Sequence, residues 1–246
     1  MKNSKLVPLL SRPALDKFGS SYPSFILSTN PIAYWPLNDL SGSTAIDLVA
    51  AHNGTYTGVD LAQAQDPFVC PYFDGANDHG NVYSAWLNTA KAFLSEGSIM
   101  IWAKVYDAGA WTAAQMRMFS ILTAVSRDGA HFVRNANAIA FTHVLGTVSK
   151  SVTLSGLSTL AWMQLAISWS DSGDTMKAYY NGAQTGATQT GLGTQTADAL
   201  ANAYCTIGAY NTTPANIWNG WLAHAAIWDT PLSDEAFYYL HLMAGA

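Results

Sequence analysis

From Trp162 to Gly182 the chain spells strands and turns, and no other regular structure accommodates it. Over residues 162–169, Met163, Leu165, Ile167 and Trp169 fall on one side of an extended backbone. A helix would scatter the same four side chains around its axis. Asp171-Ser172-Gly173-Asp174 turns the chain into residues 175–180, and Asn181-Gly182 follows. Both residues of that dipeptide tolerate positive φ, so it suits a tight hairpin. Residues 99–105 repeat the alternation, with Ile99, Ile101, Ala103 and Val105 together. A meander of antiparallel strands is predicted.

Further strands are predicted at residues 32–37, 68–73, 118–125, 138–145, 204–208 and 218–228. Two helices stand out, at residues 85–94 and 234–243. The second has Ser233 as N-cap, Asp234 and Glu235 at the positive end of its dipole, and Leu232 and Phe237 as a hydrophobic staple. Residues 185–203, rich in Thr, Gly, Gln and Ala, read as a long surface loop around a short edge strand. Many short strands with few helices mean a sandwich or barrel. At 246 residues a single large domain is allowed. The predicted class is all-β: a two-sheet antiparallel jelly-roll sandwich with a short C-terminal helix.

Charge narrows the functions open to such a fold. Only 11% of the residues are charged, against roughly 25% in an average domain. So weakly charged an exterior is expected to rest against other proteins or copies of itself. The net charge of −5 argues against nucleic acid, which requires a basic patch. Cys70 and Cys205 are too few for a disulfide framework and read as two small buried thiols. No apolar stretch is long enough to span a membrane, and residues 1–12 make a poor signal peptide because Pro8 and Arg12 interrupt the apolar run. Residues 1–29 read as an N-terminal arm before a domain at 30–246. Lys2, Lys5, Arg12 and Lys17 make the arm basic, and Pro8, Pro13 and Pro23 prevent a long helix. It is expected to dock on a partner or wrap its own domain.

Several short blocks follow one another along the chain: Ala33-Tyr34-Trp35-Pro36-Leu37, Asn53-Gly54-Thr55-Tyr56, Phe73-Asp74-Gly75, Ser98-Ile99-Met100-Ile101-Trp102, Tyr179-Tyr180-Asn181-Gly182 and Trp218-Asn219-Gly220-Trp221-Leu222. The last is Ile227-Trp228-Asp229-Thr230-Pro231-Leu232-Ser233. In this order they resemble laminin-G-like domains of the concanavalin A-like lectin/glucanase type. The resemblance implies a jelly roll over residues 30–246. Such domains commonly hold a structural calcium with an Asp-Glu pair in the penultimate block. Here that block reads Leu222-Ala223-His224, a poor set for a cation that wants oxygen.

Three groups of residues carry chemistry. Asp74, Asn77 and Asp78 offer oxygen donors for calcium, or else form an Asx turn. Trp102, Lys104, Trp162, Gln164, Lys177 and Tyr179 occupy the second faces of their strands. They form either an aromatic and polar sugar-binding surface or part of a second core. The basic arm is the third. Catalysis is not expected: the Glu-x-Asp-x-x-Glu pattern of glucanases with this fold is absent, and no nucleophile elbow accompanies the scattered histidines.

The expected function is therefore non-enzymatic. The first reading is a structural and adhesion protein of a bacteriophage virion, a decoration or tail-associated subunit. Such a protein is made without an export signal, contacts capsid or tail proteins or itself, and aids attachment to glycans. The alternative is a secreted or surface carbohydrate-binding module of a bacterium, and a glycoside hydrolase is a lesser one. No cofactor is expected apart from the calcium already considered.

Overall fold

The computed structural model describes residues 21–246 except Ala51 and Ala246. The basic residues Lys2, Lys5, Arg12 and Lys17 lie outside the described residues. The described residues open with helix α1 (Tyr22–Ser28) and then β1 (Ala33–Trp35), β2 (Thr44–Ala45), β3 (Gly54–Thr57), β4 (Asp60–Gln65), β5 (Phe68–Asp74) and β6 (His79–Asn81). Helix α2 (Ala85–Thr89) leads to β7 (Glu96–Val105), β8 (Met116–Thr123), β9 (Gly129–Asn135), β10 (Ala138–Leu145) and β11 (Val148–Leu154). Then follow β12 (Met163–Ser170), β13 (Thr175–Tyr180), β14 (Ala183–Gln189), β15 (Leu200–Ile207), β16 (Asn219–Trp228) and helix α3 (Asp234–Leu242).

Among the described residues these strands form two antiparallel eight-stranded sheets. The first runs β14-β13-β12-β7-β16-β5-β4, with β1 also pairing with β16. The second runs β11-β10-β9-β8-β15-β6-β3-β2. Between them lies one core, to which the predicted faces contribute: Ile99, Ile101, Ala103 and Val105 from β7, and Met163, Leu165, Ile167 and Trp169 from β12. The two-sheet sandwich is as expected. The hairpin at Asn181-Gly182 forms with φ of 50° and 78°, pairing Tyr180 with Ala183. Ser233 caps α3 by accepting the Ala236 amide at 3.1 Å. The helix expected at residues 85–94 breaks after Thr89 and resumes as a 3-10 turn at Lys91–Leu94. Cys70 and Cys205 are free and buried, in different apolar clusters.

The first sheet has a second apolar layer. Tyr34, Met100, Trp102, Ala166, Tyr179, Ala223, Ala226 and Trp228 point away from the sandwich core and pack under α1 and α3. Helix α1 contributes Ile26, which is fully buried, and the Tyr22 hydroxyl, which accepts a hydrogen bond from Trp102 Nε1 at 2.8 Å. The boundary expected at Asn30 therefore falls inside the packed globule. Residues 22–29 belong to it, because their apolar side chains complete the cover over the first sheet.

Asp47 ties the first loop together. Its buried carboxylate accepts backbone amides from Tyr34, Val49, Ala50 and His52 at 2.9–3.2 Å. Buried polar groups persist when so bonded.

Candidate ligand-binding face

Of the two readings of the first sheet's second face, a sugar-binding surface or part of a second core, Trp102, Trp162 and Tyr179 follow the core. Trp102 is fully buried, with the His241 ring of α3 stacked 5.5 Å away. Trp162 packs against Phe68 at 4.9 Å and donates from Nε1 to Gln65 O at 3.2 Å. Gln164 is buried, and Tyr179 is buried while donating its hydroxyl proton to Asp234 Oδ1 at 2.7 Å. The structure does bring these residues onto one sheet face, but the two helices cover it because tryptophan rings favour burial. Only the lysines reach the rim. Lys104 donates to Gln65 Oε1 at 2.9 Å, and Lys177 pairs with Asp234 at 2.8 Å beside an open groove of about 460 Å³.

The oxygens of Asp74 and Asp78 serve the backbone. Asp74 Oδ1 accepts the amides of Ala76 at 2.7 Å and Asn77 at 3.4 Å, and Asp78 Oδ2 accepts the amide of Asp74 at 2.8 Å. That is an Asx turn. Burial, with the neighbouring Asp74 carboxylate adding to it, raises the Asp78 carboxyl above its usual range. Where the resemblance implies an acidic pair, His224 shares a 2.7 Å hydrogen bond with the Tyr34 hydroxyl and packs against Tyr22 and Phe68.

The outer face of the second sheet differs in kind. Antiparallel register aligns a polar side chain from every strand into one row. Ser151 pairs with Thr142, Thr142 with His131, His131 with Ser120, and Ser120 with Thr206. The row continues through Asn81 and Thr55 to Thr44. Their strand neighbours Phe141, Phe132, Ile121 and Ile207 face the sandwich core, so the row turns away from it.

At the middle of the row sits a cluster with unused hydrogen-bonding capacity. Ser120 Oγ, His131 Nδ1, Arg117 Nε and Arg117 Nη1 are buried atoms without a hydrogen-bond partner, as is Asn211 Oδ1 in the following loop. The Arg117 guanidinium lies over the Tyr210 ring at 4.6 Å, and Tyr210 packs beside Tyr204 at 5.2 Å. Arg127 covers the same Tyr204 at 3.8 Å. A bulge between Arg117 and Phe119 turns the Arg117 side chain onto this outer face. Polar groups that are buried and unsatisfied are uncommon in native proteins and call for an explanation. Rings that can stack on a sugar, flanked by free donors and acceptors, are what saccharide recognition uses.

This cluster was not anticipated. The strand expected at residues 118–125 left Arg117 outside it, and β9, which carries His131, was not predicted. The available signal was local: Ser120, His131 and Thr142 are polar members of mainly apolar strands. Nothing local says that they meet.

Burial keeps several histidines neutral. It lowers His131 to about 3, with Arg117 adding to the effect, His143 to about 4 and His224 to about 3. In the unfolded chain they take up protons near the ordinary value of 6.5. Between pH 6.5 and 4 the unfolded state thus binds more protons, so stability falls as the pH falls. The midpoint of thermal unfolding is expected to drop steadily from pH 7 to pH 4.5. The drop should shrink in His143→Phe, whose ring replaces the one stacked 4.7 Å from Trp169. A flat profile would contradict the neutral buried state.

The described residues include no helix long and apolar enough to cross a membrane. No curated protein sequence matches the chain. Solved structures similar to it include the botulinum neurotoxin serotype D binding domain, at TM-score 0.62 and 16% identity, covering 86% of this chain and 51% of that one. A second is the botulinum neurotoxin type C structure described by its dependence on two ganglioside molecules, at TM-score 0.64 and 14% identity, covering 89% and 52%. A third is the serotype D ligand binding domain in complex with N-acetylneuraminic acid, at TM-score 0.62 and 13% identity, covering 91% and 52%. The chain thus spans about half the length of each, and likeness at such identity shows the fold alone. Residues 74–236, more than half of the chain, match the family model Laminin_G_3, described as the Concanavalin A-like lectin/glucanases superfamily. With its two-sheet jelly roll, the chain belongs to that superfamily.

Proposed function

We propose that this protein is a non-enzymatic glycan-binding adhesion domain, and that its binding face is the outer surface of the second sheet, centred on Arg117, Ser120, His131, Tyr204 and Tyr210. The observation that carries this reading is the set of unpartnered polar atoms beside two tyrosine rings on that face. On the first sheet, α1 and α3 cover Trp102, Trp162 and Tyr179. Two fold relatives, described as ganglioside-dependent and as a complex with N-acetylneuraminic acid, make a saccharide the natural class of ligand.

Binding is preferred to hydrolysis because the cluster lacks carboxylates, and glycosidic cleavage on the usual plan needs two of them. Ser120 and His131 lie opposite one another but share no hydrogen bond, so nothing activates the hydroxyl. A glycan array should return hits that Tyr210→Ala and Tyr204→Ala each weaken about tenfold, in line with losing a stacked ring. Trp102→Phe, a change beneath the helices, should leave them unaltered. Hits that survive both tyrosine substitutions would refute the assignment of the face.

A second reading is favoured by the 11% charged fraction: a virion subunit whose weakly charged exterior contacts capsid or tail proteins. Immunogold labelling of phage particles tests it, and unlabelled particles would reject it.

A further inference from the structure

We infer that the ligand of the second-sheet face is an acidic saccharide, one carrying a carboxylate that pairs with Arg117. The inference rests on the glycan-binding reading and adds the charge of the sugar to it. Arg117 is the ground for it. No carboxylate among the described residues lies within salt-bridge distance of its guanidinium, and the ion pair found there is Lys177 with Asp234 on the opposite sheet. The guanidinium donates no hydrogen bond within the described structure, and its Nε and Nη1 are shielded from solvent.

A half-buried cation without a counter-ion is unusual, most of all in a chain of net charge −5. Desolvation lowers the Arg117 pKa, and the neighbour that opposes this is Tyr210, not an Asp or Glu. The group nevertheless stays charged, since guanidinium is not deprotonated in proteins. Its planar fork matches a carboxylate through two parallel N–H···O bonds, and the Tyr210 ring beneath it fixes the plane of the fork. Neutral His131 and the half-buried rings of Tyr204 and Tyr210 flank the guanidinium on the same face.

The test compares sugars that differ in charge alone. Oligogalacturonate and its methyl ester, together with 3′-sialyllactose and its methyl ester, would be titrated calorimetrically into the whole chain. The acidic member of a pair is expected to bind at least about tenfold tighter than the neutral one, and more weakly as salt rises. Arg117→Gln should abolish the preference without abolishing binding. Arg117→Lys, which keeps the charge and loses the fork, should restore part of it and shows that loss of folding is not the cause. Equal binding of acid and ester would overturn the acidic ligand and leave the glycan face standing. Binding that ignores Tyr204, Tyr210 and Arg117 alike would overturn both.

Discussion

A chain beginning at Asn30 is expected to be less stable than one beginning at Ser21 by about 4 kcal/mol or more, counting the loss of a buried isoleucine and two hydrogen bonds. Ile26 is fully buried, and Phe25, Leu27 and Tyr22 pack around it. Removing α1 also removes the acceptor of Trp102 Nε1 and, with Thr29, that of Trp228 Nε1 at 3.0 Å. Two tryptophans would then be left with unsatisfied donors on an opened apolar face. The truncated chain should therefore unfold at much lower urea and tend to aggregate. From sequence, residues 1–29 read as an arm before a domain at 30–246, docking on a partner or wrapping its own domain. Equal urea midpoints for the two chains would show that α1 adds nothing to the stability of that domain.

Gly129→Ala is expected to be as damaging, costing upwards of about 3 kcal/mol through steric conflict and backbone strain. Gly129 opens β9 with φ of 135°, where L side chains rarely go, and a Cβ there would lie 1.9 Å from the Ile121 carbonyl oxygen. That oxygen belongs to the β8 backbone, which pairs with β9 and β15 and cannot move without disturbing both ladders. Gly156→Ala is the control. It has φ of 78° with nothing within 4 Å, so it isolates the conformational cost, about 1 kcal/mol. Equal melting of the two variants would show that Gly129 carries no steric demand beyond its φ. Because β8 and β9 present Arg117, Ser120 and His131, Gly129→Ala should also weaken any ligand of the outer face.

The strands β7, β10, β12, β13 and β16, the turn at Asn181-Gly182 and the cap at Ser233 were all legible in the sequence. Each depends on interactions within a few residues: alternation along one strand, the φ tolerance of a turn, or a side chain bonding an amide three positions on. The edge strand β11 was not legible, because Lys150 interrupts its apolar face of Val148, Val152 and Leu154 while Ser149, Ser151 and Thr153 form the other, and β9 was hidden by His131 and Arg134 among its apolar residues. The second faces of β7 and β12 were recognised as mixed aromatic and polar surfaces. Whether solvent or a helix lay over them was not a local property. The order of the chain alone thus determined a sandwich of alternating strands with a capped helix at its end. The tertiary structure decided which face is covered, since α1 and α3 reach Trp102 from opposite ends of the chain. It also decided which residues meet, because register across four strands, and not proximity in sequence, carries Ser151, Thr142, His131 and Ser120 into one line beside Arg117 and Tyr210.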